Sequence, residues 1–267
     1  MTELDLHPLG LGTWQNTDPE ECAESVQTAL ELGYRHIDTA QAYGNEDAVG
    51  RGIAESSVPR EEVFLATKVD TANLSYDDVH ETTQQSLERL RTDYIDLLYV
   101  HWPTETYDAP ETLQAFQELY DEGVIRHIGV SNFEPRHLDE AREILDAPIF
   151  ANQVELHPYL QQEELRAYAE DHDHHVVAYS PLARTSVLDD EVLRDIAEKH
   201  DASIPRVTLA WILDIGVAPI PKATSGEHIR DNWGAYDVDL DDEDHERIAD
   251  LDRGHREVDF AGAPWDN

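Results

Sequence analysis

Short apolar runs of strand length alternate with longer stretches of helical period along almost the whole chain. The strand-like runs are 10–14, 34–40, 63–69, 95–101, 128–131, 151–156, 176–180 and 217–221. The run 95–101 is nearly unbroken in its apolar character, as expected of a strand covered on both faces. Between these runs lie amphipathic stretches. Asp18 caps the first, Pro19 occupies its first turn, and Gly33 stops it after Leu32. Further helices are expected over 45–55, 75–90, 109–122, 135–145, 162–171, 190–200 and 205–215, with 226–233 and 241–251 at the end. Eight strands in regular alternation with helices predict an α/β fold, the (β/α)8 or TIM barrel, in preference to an open sheet. A chain of 267 residues suits one such barrel as a single domain.

Composition changes that picture in one respect. Apolar residues make up 40%, enough for a full core, and no apolar run approaches the length of a membrane span. The first residues lack the basic-then-apolar pattern of an export signal, so a cytoplasmic location is expected. The single Cys22 fits a reducing compartment. The net charge of −39 disfavours nucleic acid and anionic lipid as partners. The acidic residues are interleaved with periodic apolar ones, so they mark a solvated surface rather than disorder. A halophilic protein, its surface charge screened by molar salt, is the expectation that follows. Lysine has been almost eliminated. Only Lys68, Lys199 and Lys222 stand beside sixteen arginines, and two of the three lysines end strand-like runs.

Those strand ends carry the candidate chemistry. Asp38 follows the apolar part of the second run, 34–37, and Tyr43 comes five residues later, on a turn made by Gly44 and Asn45. Lys68 ends the third run and His101 the fourth. In an α/β barrel the C-terminal strand ends share one rim, so Asp38, Tyr43, Lys68 and His101 are expected to converge. Taken singly, a histidine after a strand or a tyrosine in a turn is more often a packing residue; convergence is what makes the four notable.

The segments G-Y-R-H-I-D-T-A, L-A-T-K-V, D-Y-I-D-L-L-Y-V-H-W-P, I-G-V-S-N-F, Q-V-E-L-H-P-Y, A-Y-S-P-L and P-I-P-K-A-T occur in that order over more than two hundred residues. Together they resemble the aldo-keto reductase family, and the short loops are most similar to its small microbial keto-sugar and aldehyde reductases. The resemblance implies NAD(P)H-dependent reduction of an aldehyde or ketone to an alcohol. Such a reaction needs a hydride, a proton donor and a group that steadies the developing oxyanion. Tyr43 is then the general acid. Lys68 is the cation expected to lower its pKa, Asp38 keeps Lys68 charged, and His101 orients the substrate oxygen.

The resemblance also implies the cofactor residues. Ser131, Asn132 and Gln153 would hold the nicotinamide carboxamide, and Tyr179 would stack on its ring. Ser180 and Leu182 would follow the pyrophosphate. Lys222 would meet an adenosine 2′-phosphate, with Thr224 and Ser225 beside it, and Asp231 and Asn232 would meet the adenine edge. NADP is the expected cofactor. His228 stands where the family commonly has arginine, and Ala223 where it commonly has serine, so NAD stays possible. Trp14 and Trp102 are expected to line an apolar substrate pocket, with Phe260 and Trp265 able to close over it. The expected partner is a small carbonyl compound, and the expected state a monomer or weak homo-oligomer.

Other readings are open at this point. Gly10-Leu11-Gly12 lacks the third glycine and the later acidic residue of a Rossmann fingerprint. A metal-dependent barrel hydrolase would need His-x-His on the first strand, which has none. The tract His172-Asp173-His174-His175 is expected to be a solvated loop on the far rim rather than a metal site. An NADPH-binding regulatory subunit with little turnover is the alternative function, and the intact set of four argues against it. Asn73-Leu74-Ser75 matches a glycosylation sequon but is read as a helix start, with Ser75 as its cap.

Overall fold

The computed structural model describes residues 6–266. Among these residues eight strands form one sheet in chain order, every neighbouring pair parallel. They are β1 (Gly10–Gly12), β2 (His36–Asp38), β3 (Phe64–Val69), β4 (Ile95–Val100), β5 (Ile125–Ser131), β6 (Ile149–Glu155), β7 (His175–Tyr179) and β8 (Ala218–Pro219). The seam closes where the Gly12 N–H donates to the Pro221 carbonyl at 3.1 Å and Gly12 bridges to Lys222. A side chain at Gly12 could not fit, because its Cβ would lie 2.6 Å from the Ile220 carbonyl oxygen. The Gly-x-Gly pair on β1 therefore serves this seam rather than a nucleotide loop.

The helices are α1 (Pro19–Leu32), α2 (Glu46–Glu55), α3 (Tyr76–Leu90), α4 (Ala109–Asp121), α5 (Pro135–Ile144), α6 (Glu163–His172), α7 (Glu191–Lys199), α8 (Ile204–Asp214), α9 (Gly226–Trp233) and α10 (Asp242–Ala249). Asp18 caps α1 as expected, its carboxylate accepting from the N–H groups of Glu20 and Glu21. Ser75 occupies the cap position of α3, but its hydroxyl turns to the Asp78 carboxylate at 2.5 Å and caps nothing on the backbone. Cys22 packs fully buried on α1, where burial pushes its thiol up to about 11. Among the described residues no helix is long and apolar enough to cross a membrane.

Two apolar layers hold the barrel. The larger lies between strands and helices, and the smaller fills the interior with Phe64, Ala66, Leu97, Tyr99, Ala151, Val177, Ala218 and Ile220. The interior set shows how the strands place chemistry. Alternate residues of a strand face the same way. On β3 the inward column reads Phe64, Ala66, Lys68, and on β4 it reads Leu97, Tyr99, His101. On β6 the column reads Ala151, Gln153, Glu155. Each column is apolar in mid-barrel and polar at the C-terminal rim.

The start of β5 lies earlier than the apolar pattern predicts. Arg126 and His127 break the hydrophobic run, yet both are strand residues with partners at the N-terminal end of the barrel. Arg126 donates to Asp96 at 3.0 Å and covers the Tyr94 ring, and His127 stacks on Phe150 with centroids 3.9 Å apart.

Candidate active site

β2, β3 and β4 lie side by side in chain order, and the ends of β2 and β3 meet in one ion pair. The Lys68 ammonium donates to Asp38 Oδ1 at 2.5 Å and to the Thr39 carbonyl at 2.8 Å, with both side chains buried. Gln153, reaching across from β6, donates to the other Asp38 oxygen at 2.7 Å. Burial alone would strip the proton from Lys68, but the Asp38 carboxylate, with the Tyr43 hydroxyl, raises its pKa and keeps it charged.

Tyr43 ends a single 3₁₀ turn, Gln41–Tyr43, that follows β2. Asn45 fixes this turn from behind. Its amide donates to the carbonyls of Thr13 (2.8 Å) and Asn16 (3.1 Å), and its oxygen accepts from Thr39 at 2.9 Å. The Lys68 nitrogen lies 5.0 Å from the Tyr43 ring centre, and His101 meets the ring edge-on at 5.9 Å. Lys68 pulls the phenol down, as expected, but it does not decide the net direction. Burial pushes Tyr43 up more than the Lys68 charge pulls it down, and Asp38 adds to the rise. The phenol is held protonated. Burial, aided by Lys68, depresses His101 to about 3, so its imidazole is neutral.

A cavity of about 600 Å³ opens over this cluster. Asp38, Tyr43 and His101 form its floor, and Lys68 lies beneath them, out of the lining. Of the other expected residues, Trp14, Trp102, Ser131, Asn132, Gln153, Tyr179, Ser180, Leu182 and Lys222 line it. They are tied into one network. Ser131 donates to the Gln153 carbonyl at 2.8 Å, Asn132 donates to Ser131 Oγ and the His101 carbonyl, and Tyr179 donates to Asn132 Oδ1 at 2.9 Å. Asn132 and Ser180 hold positive φ angles of 62° and 48°, where each chain turns away from its strand end.

Five expected residues, Thr224, Ser225, His228, Asp231 and Asn232, do not line the cavity. They follow Lys222, the last three on α9. His228 is exposed, and the Asp231 carboxylate is shared between Arg206 (2.9 Å) and Ser203 (2.6 Å). The sequence reading had not picked out Arg184 or Val258, which do line the cavity. Arg184 sits 5.1 Å above the Trp14 ring. Phe260 and Trp265 pack on Trp102, at 5.2 and 5.9 Å, and do not themselves line the cavity. The histidine tract is less solvated than expected. His174 is buried against Tyr168 and hydrogen-bonded to Arg142 at 2.9 Å, and its burial lowers it to about 4.

These features find close counterparts. The sequence model of the Aldo/keto reductase family matches residues 8–253. The methylglyoxal reductase DkgB of Escherichia coli O157:H7 is 45% identical over 262 residues, covering 96% of this chain and 98% of that protein. The glyoxal reductase of Bacillus subtilis is 42% identical over 247 residues, covering 92% and 89%. Among solved structures, the aldo-keto reductase of Bombyx mori in complex with NADP superposes with a TM-score of 0.90 at 33% identity, covering 95% and 92%. With the barrel, the buried ion pair and the cavity above it, these matches show that the chain is an oxidoreductase belonging to the aldo/keto reductase family.

Proposed function

We propose that the chain reduces small aldehydes and ketones with NADPH, with Tyr43 giving the proton. One observation carries the reading. A protonated phenol, a buried ammonium and a neutral imidazole meet at the floor of a cavity that runs on to Lys222. The donor set suits a nicotinamide dinucleotide. Ser131, Asn132 and Gln153 offer polar atoms beside the floor, Tyr179 offers a ring face, and Lys222 offers a cation at the far end for a phosphate. When bound, the cofactor supplies the hydride.

The chain's own residues do the rest. His101 is neutral, so it presents an N–H to the substrate oxygen without adding a charge that would repel Lys68. Tyr43 donates its proton to that oxygen as negative charge grows on it. The phenolate left behind faces the Lys68 ammonium, which Asp38 and Gln153 hold in place. The raised pKa keeps the acid form available across the working pH range, and the cation keeps the phenolate from being prohibitively costly. Trp14 and Trp102 form the apolar walls. The relatives named for methylglyoxal and glyoxal point to short carbonyl compounds of that type as substrates. The acidic composition supports work in molar salt, and the lone buried thiol supports a reducing, cytoplasmic setting.

The test is Tyr43→Phe, which keeps the ring and removes the proton. Methylglyoxal turnover with NADPH falls by roughly 10²–10⁴ while NADPH affinity is unchanged. Near-normal turnover in the variant sinks the assignment, and no turnover by the unaltered protein favours a regulatory subunit.

A further inference from the structure

Glu155 is a fully buried carboxylate that the reduction does not use. It ends β6, one inward position beyond Gln153, and its neighbour across the sheet is Tyr179. Burying an ionised carboxylate is costly unless every lone pair is met by a donor. Here the donors come from the C-terminal tail. The Glu257 N–H donates to Oε1 at 2.6 Å and the Val258 N–H to Oε2 at 2.9 Å. The buried His157 ring lies 2.8 Å from Oε1 and completes the set.

The tail held this way is part of the cavity. Val258 lines it. Two residues on, Phe260 packs on Trp102, and Trp265 packs on the same ring. The Glu257 side chain accepts from Ser186 at 2.9 Å, on the loop after β7 that also carries Ser180, Leu182 and Arg184. Among the described residues the tail is also held by Arg256 on the Trp265 face at 3.8 Å, by a bond from Arg136 to the Pro264 carbonyl, and by the N–H groups of Arg253 and His255 on the Tyr159 carbonyl. Charge-assisted bonds to a buried acceptor are the stronger kind. We propose that Glu155 is a positioning residue that clamps the tail against the barrel rim, and so decides how bulky a carbonyl compound the pocket holds. The proposal rests on the reductase reading of the cavity.

Glu155→Gln tests it, because an amide would turn an NH₂ toward one of the two backbone donors. Val258→Pro tests the same contact from the other side by removing an N–H, and Val258→Ala keeps that N–H as a control. Two readouts are needed. Trypsin cleavage after Arg256, which releases residues 257–267 and is followed by intact mass, is faster by about tenfold in Glu155→Gln and Val258→Pro, but not in Val258→Ala. The KM for benzaldehyde, the bulkier aldehyde, rises by about tenfold in Glu155→Gln, while the KM for methylglyoxal and the Kd for NADPH stay within about twofold. A merely structural role for Glu155 would move both aldehydes alike, and that result overturns the proposal. So does trypsin resistance equal to that of the unaltered protein in both variants. If Glu155→Gln does not fold, trypsin cleavage of Val258→Pro carries the test. If the unaltered protein reduces neither aldehyde, the reductase reading fails, and the proteolysis alone decides whether the clamp exists.

Discussion

His36 gives the sharpest test of the interior as described. It opens the inward face of β2, fully buried, edge-on to Phe64 at 5.6 Å. Burial, with the nearby positive groups of His7 and Lys68 adding to it, holds its pKa at about 3 against an ordinary 6.5. Between those values the unfolded chain takes up a proton that the folded chain refuses. Stability from this group is therefore complete above about pH 6.5 and is lost as pH falls towards 3. The loss is a little over 1 kcal/mol per pH unit, so it amounts to about 2 kcal/mol at about pH 5. At that pH the size of the loss is set by the unfolded value alone, since the folded one lies far below. The overall charge acts in the opposite sense, because acid relieves the repulsion among 58 carboxylates. Comparison with His36→Leu cancels that term. The assay is urea unfolding of both proteins by tryptophan fluorescence in about 1 M KCl, where the Debye length is about 3 Å. The stability difference between them is flat above about pH 7 and shifts in favour of the leucine variant by about 2 kcal/mol at about pH 5. A difference that stays constant with pH shows that His36 accepts a proton in the folded barrel, and the burial argument fails.

Three further outcomes are expected. The melting temperature rises on the order of 10 °C between dilute buffer and molar KCl, because screening removes several kcal/mol of self-repulsion; a flat curve rules out adaptation to salt. His228→Arg tightens NADPH binding by about tenfold and leaves NADH unaffected, as measured by Kd for both; equal effects on the two would show that this exposed position does not face the 2′-phosphate. Gly129→Ala places a Cβ 2.5 Å from the Tyr99 ring and destabilises by about 1–3 kcal/mol in urea unfolding; no loss would show that the barrel interior can shift to admit a methyl.

The barrel and the floor of its cavity were legible in the sequence because both are written in local periodicity. The column Phe64, Ala66, Lys68 repeats every second residue, and strand order follows chain order, so the placement of Asp38, Lys68 and His101 needed no long-range contact to be known. The family motifs added the cavity-lining polar groups. What stayed hidden depends on distant pairings. Gln153 grips Asp38 across 115 positions, and the tail reaches Glu155 across more than a hundred. No local pattern announces either. The start of β5 was missed because Arg126 pairs with Asp96 and His127 stacks on Phe150 at the N-terminal end of the barrel, partners that no local pattern shows. The net direction of the Tyr43 shift stayed hidden for a related reason. The Lys68 charge is visible in the sequence, but the depth of burial that outweighs it is not.

The scarcity of lysine has a practical side. Apart from its N-terminus, the chain offers an amine-reactive reagent only three targets. Lys68 is sealed under the cavity floor, and Lys199 is tied to Asp241 and Asp244 at 2.7 and 2.9 Å. Lys222 is exposed and lines the cavity. Lysine-directed coupling to an aldehyde or active-ester support would therefore favour Lys222, at the entrance of the pocket. A resin that captures carboxylates would have dozens of attachment points spread over the rest of the surface, and would leave that entrance open.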